Sequence, residues 1–214
     1  MSSPTKPRKT RKKNEDYELR QKTIIKSLRH CMIKQGFAET TLTGLAREAN
    51  MTVSHLLYYY PSKEAVLIDL CDELLARLQE STASGYGGTP AERIRLLAEN
   101  LFLVEKLSEG EMGIMGELLS LAAHRPAIRE RLTGYVDSSL EYLKDLFAHT
   151  PRQPGQSASD AAEVAAALGA GLFAQVNLDR NVDQAMARRL YYDTLVQLAN
   201  LSGQVPSWEQ CSQA

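Results

Sequence analysis

The residues best suited to chemistry lie together between Thr40 and Lys63, in the stretch TTLTGLAREANMTVSHLLYYYPSK. Tyr58 and Tyr59 set hydroxyl donors at adjacent positions, suited to gripping phosphates on either side of a groove. Lys63 follows Ser62 at the start of an apolar-periodic run, where a lysine opposes the helix macrodipole and is unfavourable unless an anion binds there. The free N–H groups after Ser62, together with the Lys63 ammonium, would make a site for a DNA phosphate. Other chemistry lacks its residues. His30, His124 and His149 have no companion three or four residues on that would make a metal pair. Cys31, Cys71 and Cys211 are odd in number and show no C-x-x-C spacing, which argues against a disulfide framework or zinc knuckle. There is no nucleophile and base motif and no Gly-rich phosphate loop. The sequence therefore predicts no metal, no cofactor and no enzyme.

The elements that must position these groups are short helices. Thr41 is a good N-cap for a helix over about Leu42–Ala49, and Thr52 for one over about Val53–Tyr60, which Pro61 ends. Two short helices joined by a tight connection make a helix-turn-helix, whose second helix can lie in a major groove while the first crosses the phosphate backbone. Leu45, Ala46, Ala49 and Leu56 can pack inside, and the small alanines permit a close crossing. Asn50 occupies the turn, where a left-handed backbone is often needed and Asn tolerates it. Three consecutive tyrosines cannot share one face of a helix, and Tyr60 is the one expected to be buried.

Elsewhere apolar residues recur at helical spacing, and period-2 alternation is nearly absent, so the fold class is all-α. A first helix is expected over about Leu19–Gln35, closed by Gly36, with Ile24, Leu28, Cys31 and Met32 on its apolar face. A long helix runs from Lys63 to about Ser81 and joins the helix-turn-helix to the C-terminal two-thirds of the chain. After the loop-like STASGYGGTP, helices are expected near 91–107, 111–124, 127–149, 160–178 and 183–202. The expected domains are a flexible basic arm (1–18), a DNA-binding domain (19–63), a helical effector-binding and dimerisation domain (64–205) and a tail (206–214).

The chain has 214 residues, 43% apolar and 24% charged, with a net charge of −1, so no overall field selects a polyanionic partner. That figure conceals an asymmetry. Met1 to Lys63 carries thirteen basic and five acidic side chains, a net of +8, leaving −9 for the remainder. A basic N-terminal third suggests that this end meets a polyanion. Within the arm, Arg11, Lys12 and Lys13 could follow a DNA backbone or enter a minor groove. No apolar run approaches the roughly 20 residues of a membrane span, and no apolar stretch follows the N-terminal charges as a secretory signal requires. A reducing, cytoplasmic setting is expected, with no membrane partner.

With these residues in view, the segment from about 20 to 67 resembles the tetracycline-repressor (TetR) family of bacterial transcription regulators. The resemblance rests on Ile24, Ser27-Leu28, Cys31-Met32, Gly36-Phe37, Thr40-Thr41, Leu45-Ala46, Ala49-Asn50-Met51-Thr52, Leu56, Tyr58-Tyr59-Tyr60 and Pro61-Ser62-Lys63-Glu64. It implies that Thr43, Val53, Ser54, His55 and Leu57 face base edges, while Thr41, Thr52, Tyr58, Tyr59 and Lys63 meet phosphates. Asn50 stands where the family has Gly, and Leu57 where it has Tyr. The recognition helix has no Arg or Lys, so readout leans on His55, Ser54, Thr43 and DNA shape.

The same resemblance implies a ligand pocket between Ala91 and His149, with Phe102, Met112, Met115, Leu118, Tyr135 and Phe147 as candidate lining. It also implies dimerisation through the last two long helices. There Ala165, Leu168, Gly169 and Leu172 permit close backbone approach, and Leu195 and Leu198 offer apolar surface. The expected function is thus a homodimeric repressor that a small-molecule effector, of no identified chemistry, releases from a double-stranded, roughly palindromic DNA operator. The alternatives are a constitutive or architectural DNA-binding protein without an effector and a small helical enzyme.

Overall fold

Short polar residues open the helices where the sequence places them. Thr41 accepts a hydrogen bond from the Gly44 N–H, Thr52 from His55, Ser157 from Asp160 and Asp183 from Met186. Thr89 and Glu92 form a reciprocal capping box, with Pro90 in the first turn. In the computed structural model, residues 8–83, 87–100, 109–152, 154–178 and 182–211 are described, and no strand occurs among them. In chain order the helices are α1 (Arg8–Glu39), α2 (Leu42–Glu48), α3 (Val53–Tyr59), α4 (Lys63–Ala83), α5 (Pro90–Glu99), α6 (Glu109–Ala122), α7 (Pro126–Ala148), α8 (Ala158–Asn177), α9 (Gln184–Leu198) and α10 (Trp208–Cys211).

One expectation shifts. The helix expected to begin near Leu19 begins at Arg8, so most of the predicted arm is helical. No Gly or Pro interrupts Arg8 to Gln35, the residues are good helix formers, and extending an existing helix needs no new nucleus. At the other end Gly36 leaves helical geometry (φ 78, ψ 169), as its position predicts. The chain divides into two compact units at Glu73–Leu74. The first turns of α4 belong to the first unit because Tyr60 donates to Asp69 (2.7 Å) and Arg29 pairs with Glu73.

The first unit is built on Ile24, Leu28, Phe37, Leu45, Leu56, Val66, Leu67 and Leu70, all buried. His30 on α1 pairs with Glu48 on α2, and that hydrogen bond holds the Glu48 carboxyl below the usual carboxylate range. The second unit packs α7 against α6 and α8, and α9 against α5 and α8. Its interior contains Ile94, Leu118, Ile128, Leu146, Phe147 and Leu195. A buried arginine, Arg93 on α5, crosses to α7, where it donates to the Tyr142 carbonyl (3.2 Å), the Tyr142 hydroxyl (3.3 Å) and Asp145 (2.8 Å). Asn200, in the left-handed region (φ 55), closes α9 and donates to Pro151 O and Gln156 Oε1, clasping the α7–α8 connection.

Candidate nucleic-acid interface

The turn between α2 and α3 is held from its own backbone. Asn50 adopts φ 52, the Asn50 N–H bonds to Arg47 O (3.1 Å) and the Met51 N–H reaches back to Ala46 O (2.9 Å). This is a Schellman closure, with Asn in the left-handed position that Gly usually fills. Leu45 and Ala46 of α2 and Leu56 of α3 point inward, and Tyr60, just past α3, is buried as expected.

What remains outward is the predicted reading surface. Thr41, Thr43, Thr52, Ser54 and His55 are exposed, as are Leu57 (41%) and Tyr58 (64%), while Val53 and Tyr59 are half-buried. The hydroxyl oxygens of Thr41 and Thr52 accept from helix amides, which leaves each O–H able to donate to a phosphate. His55 packs against Tyr59 with ring centroids 5.3 Å apart, and Tyr59 against Tyr58 at 5.1 Å. An aromatic chain therefore leads from His55 through Tyr59 to Tyr58.

Sequence reasoning missed one member of this chain. Tyr17, placed by the sequence in the arm, lies on α1 with its ring 4.9 Å from Tyr59 and 6.1 Å from Tyr58. Its signal was a lone aromatic in an otherwise polar stretch. Arg11, Lys12 and Lys13 fall within α1, but their side chains lie outside the described residues.

Lys63 is tied within its own unit. Its ammonium donates to Phe37 O (2.7 Å) and Thr40 O (2.6 Å) and sits 4.1 Å from the Phe37 ring centroid. The anion-like partner that the macrodipole argument demands is supplied by the chain's own carbonyls at the close of α1. Two of the three N–H donors of the ammonium are thereby committed within the first unit.

In the second unit, Phe102 lies outside the described residues. Met112, Met115 and Leu118 of α6 and Phe147 of α7 are buried, and Tyr135 is half-buried, with its hydroxyl pushed to higher pKa by desolvation. Beside the methionines, the buried Glu111 pairs with Arg77 of α4 (2.6 Å), a pair that sequence spacing gave no means of finding. The residues expected to pair the subunits differ in exposure. Ala165, Leu172 and Leu195 are buried within the single chain, and Leu168, Gly169 and Leu198 are half-buried. The outward stripe of α8 is instead Val164, Ala167, Gly171, Ala174 and Leu178, next in order around the helix, and α9 shows Met186 and Leu190. The largest apolar residues are those that the subunit needs for its own core.

A two-helix reading head on an all-helical second unit defines a class, the helix-turn-helix transcription regulators. Residues 24–70 match the family described as bacterial regulatory proteins, tetR family, and residues 90–200 match the BetI-type transcriptional repressor C-terminal family. The chain belongs to the tetR family and is a DNA-binding transcriptional regulator. It is 24% identical over 196 residues, 88% of this chain and 95% of the other, to the HTH-type transcriptional regulator BetI 1 of Chromohalobacter salexigens. It is 27% identical over 95 residues, spanning 44% of each chain, to the HTH-type transcriptional regulator EthR of Mycolicibacterium smegmatis. Among solved structures, a TetR transcription regulator from Haloarcula marismortui superposes with a TM-score of 0.73 at 19% identity, covering 86% of this chain and 97% of that one. Among the described residues, no helix is long and apolar enough to cross a membrane.

Proposed function

We propose that this chain acts in the cytoplasm as a homodimeric repressor that a small-molecule effector, bound among α6 and α7 in the second unit, releases from a roughly palindromic operator. The observation that carries the reading is α3, which buries Leu56 and turns Ser54, His55, Leu57 and Tyr58 to solvent. In this reading Thr43, Val53, Ser54, His55 and Leu57 read base edges, and Thr41, Thr52, Tyr58 and Tyr59 hold phosphates. Two copies related by a twofold axis would engage half-sites one helical turn apart. Selection of bound fragments from genomic DNA, followed by a metabolite screen for release, tests the whole reading. No enriched duplex would overturn it, and an enriched operator that no metabolite releases would leave a constitutive binder.

His55→Ala is expected to relax preference at particular base pairs by about 1–3 kcal/mol each, while binding to unrelated duplex stays near its starting value. Competition binding against an operator library reads this, and equal losses on every sequence would remove His55 from the readout.

The pairing surface has its own variant. A Cβ added at Gly171 would meet nothing within 4 Å among the described residues, and the position is exposed, so Gly171→Leu is expected to leave the subunit folded. If α8 pairs across the twofold axis, the added bulk is expected to weaken dimerisation about tenfold or more, because overpacking costs on the order of 1–3 kcal/mol. Sedimentation equilibrium reads the change, and an undisturbed dimer would place the interface elsewhere.

A further inference from the structure

Lys63 donates to two backbone carbonyls and Arg29 pairs with Glu73, so part of the cationic charge near the reading head is engaged within the chain. α3 contains no Lys or Arg, and α2 contains Arg47 alone. The duplex carries one negative charge per about 1.7 Å of its axis, so hydroxyls and rings do not by themselves balance the approach.

A cleft of about 460 Å³ lies between α1 and α3. It is lined by Asp16, Tyr17, Leu19, Arg20 and Thr23 from α1 and by Tyr58 and Tyr59 from α3. Arg20 is exposed. The wall is braced by the edge-on packing of Tyr17 on Tyr58 and its tilted packing on Tyr59.

We propose that this cleft is a binding site for a backbone phosphate of the duplex that α3 enters, with Arg20 as its cation. The inference rests on α3 being the reading helix. DNA phosphate is the occupant because the Tyr58 and Tyr59 that wall the cleft also belong to the outward surface of α3, making the two continuous. A guanidinium presents paired N–H donors that match two phosphate oxygens, and the exposed Tyr58 hydroxyl supplies a further donor on the same side. Tyr17 is a positioning residue, since it braces the tyrosines without being charged. Asp16 lines the same cleft four residues before Arg20, and its carboxylate opposes an incoming anion, so it moderates affinity. The grip carries no sequence information and sets the register of α3 in the groove.

The test uses the full chain on a selected operator and on an unrelated duplex across a salt series. Arg20→Ala is expected to weaken binding to both by the same factor, about tenfold, as loss of a charge-assisted hydrogen bond does. It is also expected to lower the slope of log affinity on log salt by about 0.9 per bound copy. Arg20→Lys should keep the slope and recover part of the affinity. Asp16→Asn should tighten binding to both duplexes, and it stands as an independent measurement if Arg20→Ala folds poorly by circular dichroism. An unchanged slope for a folded Arg20→Ala, a loss confined to the operator, or no gain from Asp16→Asn would overturn the proposal. A wild-type protein that ignores both duplexes would instead sink the reading of α3 itself.

Discussion

Lys63→Ala is expected to destabilise the first unit by about 2–3 kcal/mol, through the loss of two charge-assisted hydrogen bonds to part-buried carbonyls. Phe37 and Thr40, whose carbonyls receive the ammonium, are themselves buried, so water does not simply replace it. The cation over the Phe37 ring adds to the loss. The tie joins the close of α1 to the start of α4 and encloses α2 and α3 in the sequence between its ends, so DNA affinity should fall with the fold. Thermal unfolding followed by circular dichroism should show the lower midpoint, and the salt dependence of the remaining binding should keep its slope. Lys63→Met, which keeps the apolar stem, should recover packing but not the hydrogen bonds. Unchanged melting combined with a shallower salt slope would instead return Lys63 to the phosphate backbone.

Arg93→Ala should cost still more, about 3–5 kcal/mol, because it removes one member of a buried polar network and leaves the others behind. The Arg93 side chain is 5% exposed and donates to two groups of Tyr142 as well as to Asp145. Its guanidinium also lies 4.5 Å from the Tyr142 ring centroid. Lys cannot match that forked geometry, so Arg93→Lys should rescue little. Asp145 is nearly half exposed, and Asp145→Asn is expected to cost no more than about 1 kcal/mol, as surface ion pairs do. Urea unfolding of the variants separates the two contributions. An Asp145→Asn loss equal to that of Arg93→Ala would show that the ion pair, not the contacts with Tyr142, joins α5 to α7.

These cases mark where the sequence was legible. The reading head could be read almost residue by residue, because its determinants are local: threonine caps, an asparagine that accepts positive φ, and small residues at a close crossing. The burial of Tyr60 followed from helical geometry alone. The fate of Lys63 did not, because its partners are carbonyls 23 and 26 residues away that no spacing rule connects to it. The ties of Arg93 to residues 49 and 52 positions on are of the same kind. The start of α1 was misplaced because composition measures whether a segment can bury a core, whereas a helix already nucleated can extend through polar residues. On α8 the periodicity was right, but eleven of its twenty residues are Ala, Gly or Ser, which leaves little contrast by which to tell the inward stripe from the outward one.

The continuity of α4 bears on how such a gene can change. The helix runs unbroken from Lys63 to Ala83, through the division at Glu73–Leu74, with no loop at that point. Each α-helical residue advances the chain by about 100°, so one inserted or deleted codon there would turn every later side chain around the axis. A change of length in this stretch therefore carries α4 side chains off the core faces they now occupy, where a loop would absorb it.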